Sequence, residues 1–116
     1  MFQKDLKISL LLDFYGDILS ERRRELMEMY YNEDLSLSEI AEIAGISRQG
    51  VRDSVKKSER ELEELEETLG LLERFNKVKL EIKKIGDELD TVAAYCTDDV
   101  GKKLRAIKEE LDSLDI

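Results

Sequence analysis

Between Leu35 and Val55 the chain reads Leu-Ser-Leu-Ser-Glu-Ile-Ala-Glu-Ile-Ala-Gly-Ile-Ser-Arg-Gln-Gly-Val-Arg-Asp-Ser-Val, and this spacing leaves few shapes open. Ile40, Ala41 and Ala44 stand at i, i+1 and i+4, an apolar face for one short helix. Gly45 follows, and glycine takes the positive φ of a tight turn after a helix without steric cost. Ile46 is expected to bury that turn, and Ser47 to cap a second helix by accepting a backbone N–H. Val51 and Val55, four apart, give the second helix its inward face. Ala41 is small where two crossing helices must approach closely. Two short helices joined by such a turn make a helix-turn-helix.

The rest of the chain also favours helix. Its 116 residues include no proline and only 6 glycines, and they fit one domain or a small domain with an extended appendage. The fold class read from these features is all-α. A first helix is expected from about Lys4 to Leu19, with Leu6, Leu10, Leu11, Phe14 and Ile18 at near-helical intervals. Ser20 is placed to cap a second helix, Glu21 to about Tyr31, with Leu26, Met27 and Tyr30 as its apolar face. Asn32-Glu33-Asp34 forms a loop, and Ser36 or Ser38 caps the third helix, with Glu39 favouring Ser36 as its capping-box partner.

The fourth helix, after Gly45, has no clear stop. Val51, Val55, Ser58, Leu62, Leu65, Leu69 and Leu72 alternate by four and three, a heptad-like seam. Near Gly70 the phase slips by one residue, and Leu71, Phe75, Val78, Ile82, Ile85, Leu89 and Val92 carry a second series. The slip predicts a kink or break at Gly70, with Gly86 a further weak point. Thr97 or Asp98 caps a last helix with Val100, Leu104, Ile107, Leu111 and Leu114 on one face. Residues 1–57 are read as the helix-turn-helix domain and 58–116 as a helical dimerisation or docking region. A seam this long exceeds what a small domain covers alone, so a homodimer is expected. Its seam residues are Leu62, Leu65, Leu69, Leu72, Phe75, Ile82, Ile85 and Leu89.

Several function classes lack their chemistry. There is no histidine and one cysteine, Cys96, which removes imidazole acid–base catalysis, Cys-His nucleophiles, His-containing zinc sites and internal disulfides. The lone thiol fits a reducing compartment. Gly-rich phosphate loops, Ser-His-Asp sets and EF-hand spacing are absent from the sequence. The carboxylates Glu63/Glu66/Glu67 and Asp87/Asp90 read as solvated helix flanks, and Asp98-Asp99 as a capping segment. No enzyme activity, cofactor or metal site is expected. No apolar run reaches the length of a membrane span and Ile8 to Leu12 is too short for a signal peptide, so the expected location is the cytoplasm.

The net charge of −9 opposes indiscriminate nucleic-acid binding, which depends on neutralising phosphates. The acidity sits mainly outside the helix-turn-helix. Residues 1–57 carry 9 Lys and Arg against 11 Asp and Glu, and residues 58–116 carry 10 against 17. With Val51 and Val55 inward, Gln49, Arg52, Asp53, Lys56 and Lys57 face outward and Arg48 lies at the N-terminal edge. Arginine and glutamine there suit guanine and adenine edges in a major groove. Lys56, Lys57 and the cluster Arg22, Arg23 and Arg24 suit phosphates. Asp53 opposes DNA unless it accepts from cytosine. DNA is therefore the expected partner. The rival is a protein-docking factor that uses the motif as a scaffold and the acidic helices as a surface for a basic partner.

The segment Leu19-Ser-Glu-Arg-Arg-Arg-Glu-Leu-Met-Glu-Met-Tyr-Tyr-Asn-Glu-Asp34, running into the helix-turn-helix, resembles region 4 of bacterial sigma factors, which reads promoter DNA. Asp13-Phe14-Tyr15, Tyr31, Asp34-Leu-Ser-Leu-Ser-Glu-Ile-Ala41 and Ile46-Ser-Arg-Gln-Gly-Val-Arg-Asp53 resemble the YlxM family of bacterial helix-turn-helix proteins over about residues 6–92. The resemblance implies a sigma-region-4-like domain followed by long amphipathic helices, in a protein that acts in or regulates the signal recognition particle pathway. It also implies that components of that particle are possible partners. Gly50 departs from the family, whose members often carry alanine there.

Overall fold

The computed structural model describes residues 4–114, and every regular element among them is helical. The order is α1 (Leu6–Tyr15), a 3-10 turn (Gly16–Ile18), α2 (Glu21–Tyr31), α3 (Leu37–Ala44), α4 (Arg48–Leu69), α5 (Leu71–Ala93) and α6 (Asp98–Asp112). The chain divides into two compact units, Met1–Leu72 and Glu73–Ile116. The boundary expected after residue 57 therefore falls inside α4, whose whole length belongs to the first unit.

Serine hydroxyls start three of these helices. Ser20 accepts from the Arg23 N–H at 3.4 Å, Ser36 from Glu39 at 3.1 Å and Ser47 from Gly50 at 3.0 Å. At Ser36 the Glu39 carboxylate returns to the Ser36 N–H at 3.2 Å, completing a capping box. Each satisfies a donor that a helix N-terminus otherwise leaves unpaired. The α2–α3 loop is held by Lys4, whose ammonium donates to the carbonyl of Tyr30, to Asp34 at 3.0 Å and to the Leu35 carbonyl at 3.2 Å.

α1 corrects two expectations. It stops at Tyr15, and Gly16 is buried so tightly that an added Cβ would lie 3.3 Å from Leu12 Cδ1. Its inward stripe is Ile8, Leu11, Leu12 and Tyr15, while Leu6, Leu10 and Ile18 are exposed. Apolar residues occur nearly all round this helix, so periodicity alone picks no unique face.

The seam on α4 is also corrected. Ser58 and Leu62 are 0% exposed and Leu72 is 5% exposed, and Leu65 packs against the same core. The covering is local, because α1, α2 and α3 all pack against α4. Leu62, Leu65 and Leu72 therefore belong to the first unit's own core and not to a surface for a second chain. Leu69 is 54% exposed. At Gly70 the backbone takes the left-handed conformation (φ 63°), so the phase slip is a true helix end.

Tyr15 then joins that end to α1. Its hydroxyl donates to Glu66 Oε1 at 2.7 Å and accepts the first N–H of α5, from Leu71, at 3.0 Å. The same Glu66 oxygen accepts the Leu72 N–H at 2.9 Å. Tyr31 donates to Glu59 at 2.9 Å, and Arg23 reaches Ser58, so both ends of α2 bond to one turn of α4. α2 thus lies across α4.

Both tyrosines titrate above the ordinary 10.0, chiefly because burial disfavours the phenolate and next because each donates to a carboxylate. A folded-state pKa above the unfolded one leaves stability intact below about pH 10 and removes it as pH rises further. Thermal unfolding should hold steady from neutral pH to that point and then fall, and Tyr15→Phe with Tyr31→Phe should flatten the decline. An unchanged alkaline slope in that pair would remove these tyrosines as its source.

In the second unit α5 and α6 form an antiparallel hairpin. Gly86 lies against Lys108 and Asp112, and Gly101 lies against the Ala93 carbonyl, with a Cβ there at 3.5 Å from it. Lys108 also pairs with Asp90. Thr97 is the cap residue of α6, though its side chain makes no capping bond. Among the described residues of this unit only Gly86, Ala93 and Gly101 are buried, so the hairpin has no large side chain fully enclosed.

Candidate nucleic-acid interface

The turn between α3 and α4 is rigid for a local reason. Gly45 sits at φ 69°, its N–H bonds to the Ala41 carbonyl at 3.0 Å, and the Ile46 N–H bonds to the same carbonyl at 3.2 Å. The first is the bond of an αL helix end and the second the 6→1 bond of a Schellman end, with Ile46 packed against the core as the hydrophobic partner. Ser47 then starts α4 at once. Gly50 lies beneath that cap, where an added Cβ would sit 3.2 Å from the Ser47 hydroxyl.

Val51 at 0% and Val55 at 4% exposure fix the rotation of α4. Arg48, Gln49, Arg52, Asp53, Lys56 and Lys57 are all exposed, as their spacing predicts. Gln49 donates to Asp53 at 2.9 Å, one turn along. This contact gives the carboxylate a partner on its own helix and holds the glutamine amide until something displaces it. Arg60, exposed one turn beyond Lys56, extends the same face. Arg60 lies beyond the helix-turn-helix domain expected at residues 1–57, although its i+4 spacing from Lys56 is legible in the sequence.

The arginine cluster on α2 does not act as one patch. Arg23 turns inward: Nε donates to the buried Ser58 hydroxyl at 3.1 Å, and Nη2 lies 2.7 Å from Glu61. It ties α2 to α4 and is not offered to phosphate. Arg24 pairs with Asp17 at 2.7 Å, and Arg22 is exposed. Among the other expected site residues, Phe75, Ile82 and Leu89 are half-buried and Ile85 is exposed, all on the hairpin of the second unit.

α4 is electrically divided. Residues 48–60 carry Arg48, Arg52, Lys56, Lys57 and Arg60 against Asp53 and Glu59. Residues 61–69 carry five glutamates and no cation. Cations therefore gather where the helix-turn-helix presents its second helix. No group of three or more His, Cys, Asp or Glu side chains placed to hold a metal occurs among the described residues. No helix among them is long and apolar enough to cross a membrane.

An all-helical unit of this order, with a glycine turn between α3 and a core-anchored, outward-charged α4, defines a helix-turn-helix protein. The chain belongs to the UPF0122 family, whose model, described as "Putative helix-turn-helix protein, YlxM / p13 like", matches residues 2–100. It is 39% identical to a UPF0122 protein of Halalkalibacterium halodurans over 99% of this chain and 100% of that relative. It is 50% identical to one of Caldanaerobacter subterraneus over 69% of this chain and 68% of that relative. A Geobacillus kaustophilus UPF0122 protein is 37% identical over 99% of this chain and 100% of its own length.

Proposed function

We propose that this chain is a DNA-binding regulator that acts as a homodimer, with the first turns of α4 in the major groove. Arg48, Gln49 and Arg52 read base edges, and Lys56, Lys57 and Arg60 hold phosphates. The charge division of α4 carries this reading: cations occupy the stretch that the helix-turn-helix presents, and anions the stretch beyond it. Asp53, held by Gln49 in the free chain, adds selectivity, because a carboxylate in the groove is tolerated only opposite a cytosine amino group. The overall charge of −9 suppresses binding to arbitrary sequence. The family resemblance supports the signal recognition particle pathway as the setting in which this regulator works.

Selection of genomic fragments at low salt is the test. A specific duplex should be enriched. With roughly six phosphates neutralised by a dimer, its affinity should fall with salt at a log–log slope of about −5. If no sequence is enriched, DNA reading fails. A second reading, docking to a basic component of the particle, is favoured by the exposed Glu63, Glu64 and Glu67 on the acidic half of α4. Glu66 is excluded from that surface, since Tyr15 and Leu72 occupy its carboxylate. Co-purification of particle components that survives Arg52→Ala and fails on reversal of those three glutamates would support it.

A further inference from the structure

The hairpin of the second unit leaves one apolar face uncovered by its own side chains. Val78, Ile85 and Val92 recur every seven residues on α5 and are 39%, 44% and 52% exposed. Val100 and Ile107 do the same on α6 at 50% and 43%, and Leu114, seven further on and just past the end of that helix, is 56% exposed. The contacts of Gly86 with Lys108 and of Ala93 with Gly101 set where the helices meet and make them antiparallel. At about 100° per residue, each row is turned by about 100° from that contact, its members standing one residue before the contacting ones. In antiparallel helices rotations of this sense bring both rows to the same side. Half-buried Ile82, Leu89, Leu104 and Leu111 line the trough between them. The six exposed side chains present on the order of 500 Å² of apolar surface, within the range at which the largest patch on a monomer is often functional.

The charges of α5 indicate what covers this face. From its first turn to residue 84 it carries Arg74, Lys77, Lys79, Lys83 and Lys84 against Glu73 and Glu81. Beyond that it carries Asp87, Glu88 and Asp90 with no cation. Asp90 is engaged with Lys108 of the same hairpin, and at about 100° per residue Lys83 and Asp87 lie on the side of α5 away from the row, so the charges that flank it are Lys77, Glu81, Lys84 and Glu88. A second copy of α5 laid antiparallel about Ile85 sets Lys84 of each chain level with residue 86 of the other, within about one helical turn of the other chain's Glu88. A parallel copy sets like over like along the whole helix, which is repulsive. Antiparallel order also opposes the two helix dipoles.

We propose that the α5–α6 face is a homodimer interface, in which two hairpins close into a four-helix bundle with α5 antiparallel to the partner's α5. This interface gives the dimer of the preceding reading its surface and its order, and rests on that reading for its role on DNA. Each row repeats every seven residues, as knobs in a bundle do.

The test is the oligomeric state of the full chain without DNA, by sedimentation equilibrium at micromolar concentration. The wild type should be a dimer. Ile85→Asp should be monomeric with its helical circular dichroism retained. The double variant Lys77→Glu, Lys84→Glu and the single variant Glu88→Lys should each dimerise at least tenfold more weakly, while their equimolar mixture regains wild-type association as a mixed dimer. That recovery also proves both variants folded. A monomeric wild type, or a dimer unaffected by Ile85→Asp, overturns the interface. Charge variants no weaker alone than the wild type overturn the antiparallel order. Loss of the dimer with a selected duplex still bound would leave DNA reading standing, and the charge-swap pattern without any enriched duplex would leave the interface standing.

Discussion

Replacing Leu62 by alanine is expected to destabilise the first unit by about 2–5 kcal/mol, with a denaturation midpoint that does not depend on protein concentration. Leu62 is 0% exposed in the core that α1, α2 and α4 share. Truncation removes the transfer free energy of three carbons and leaves a cavity that Ser58 and its neighbours cannot close. Against a typical total of about 5–15 kcal/mol, the loss is a large fraction of what holds such a domain. Leu69→Ala, one heptad along and 54% exposed, should cost far less. Chemical denaturation at two concentrations tenfold apart checks both. A Leu62→Ala loss that shrinks as concentration rises would return this residue to a seam between chains.

Arg52→Ala should weaken the selected duplex by about 1–3 kcal/mol, roughly 5- to 150-fold, and relax preference at the base it reads. Arg52 is exposed on the outward face of α4, one turn past the cap, so removing it leaves the core untouched. Arg23→Ala makes the informative contrast. It leaves Ser58 and Glu61 without their partner, so it should lower stability while the affinity of the remaining folded protein changes little. Fluorescence anisotropy with labelled duplex, paired with thermal melts, separates the two. Equal losses of affinity from both substitutions would mean that α2 also meets the phosphates, against the inward course of Arg23.

The helix-turn-helix was legible because its determinants are local. A capping box, a positive-φ glycine and an i, i+4 valine pair each act within a few residues, and the chain shows all three where they were expected. The limits of α2 and the break at Gly70 were readable for the same reason. The inward face of α1 was not, because leucines surround that helix and only its neighbours choose between the stripes. Arg23 was equally opaque: next to two other arginines it looks like part of a basic patch, and only the crossing of α2 over α4 brings it to Ser58.

The sequence by itself determined α2, the capped turn from α3 into α4, the helix end at Gly70 and the exposed residues of the recognition-type helix, since each depends on backbone chemistry and on spacing within one element. By contrast, α5 runs unbroken through Gly86, where a weak point was expected. Which apolar stripe is already covered was decided only by the tertiary structure. A heptad pattern states that a face will be buried and not by what. On α4 the chain's own α1, α2 and α3 cover it as far as Leu65, whereas on α5 and α6 the equivalent rows remain exposed. The difference is one of supply: the first unit has three helices to lay against α4, and the hairpin has only two helices, whose closest approach is spent on glycine and alanine.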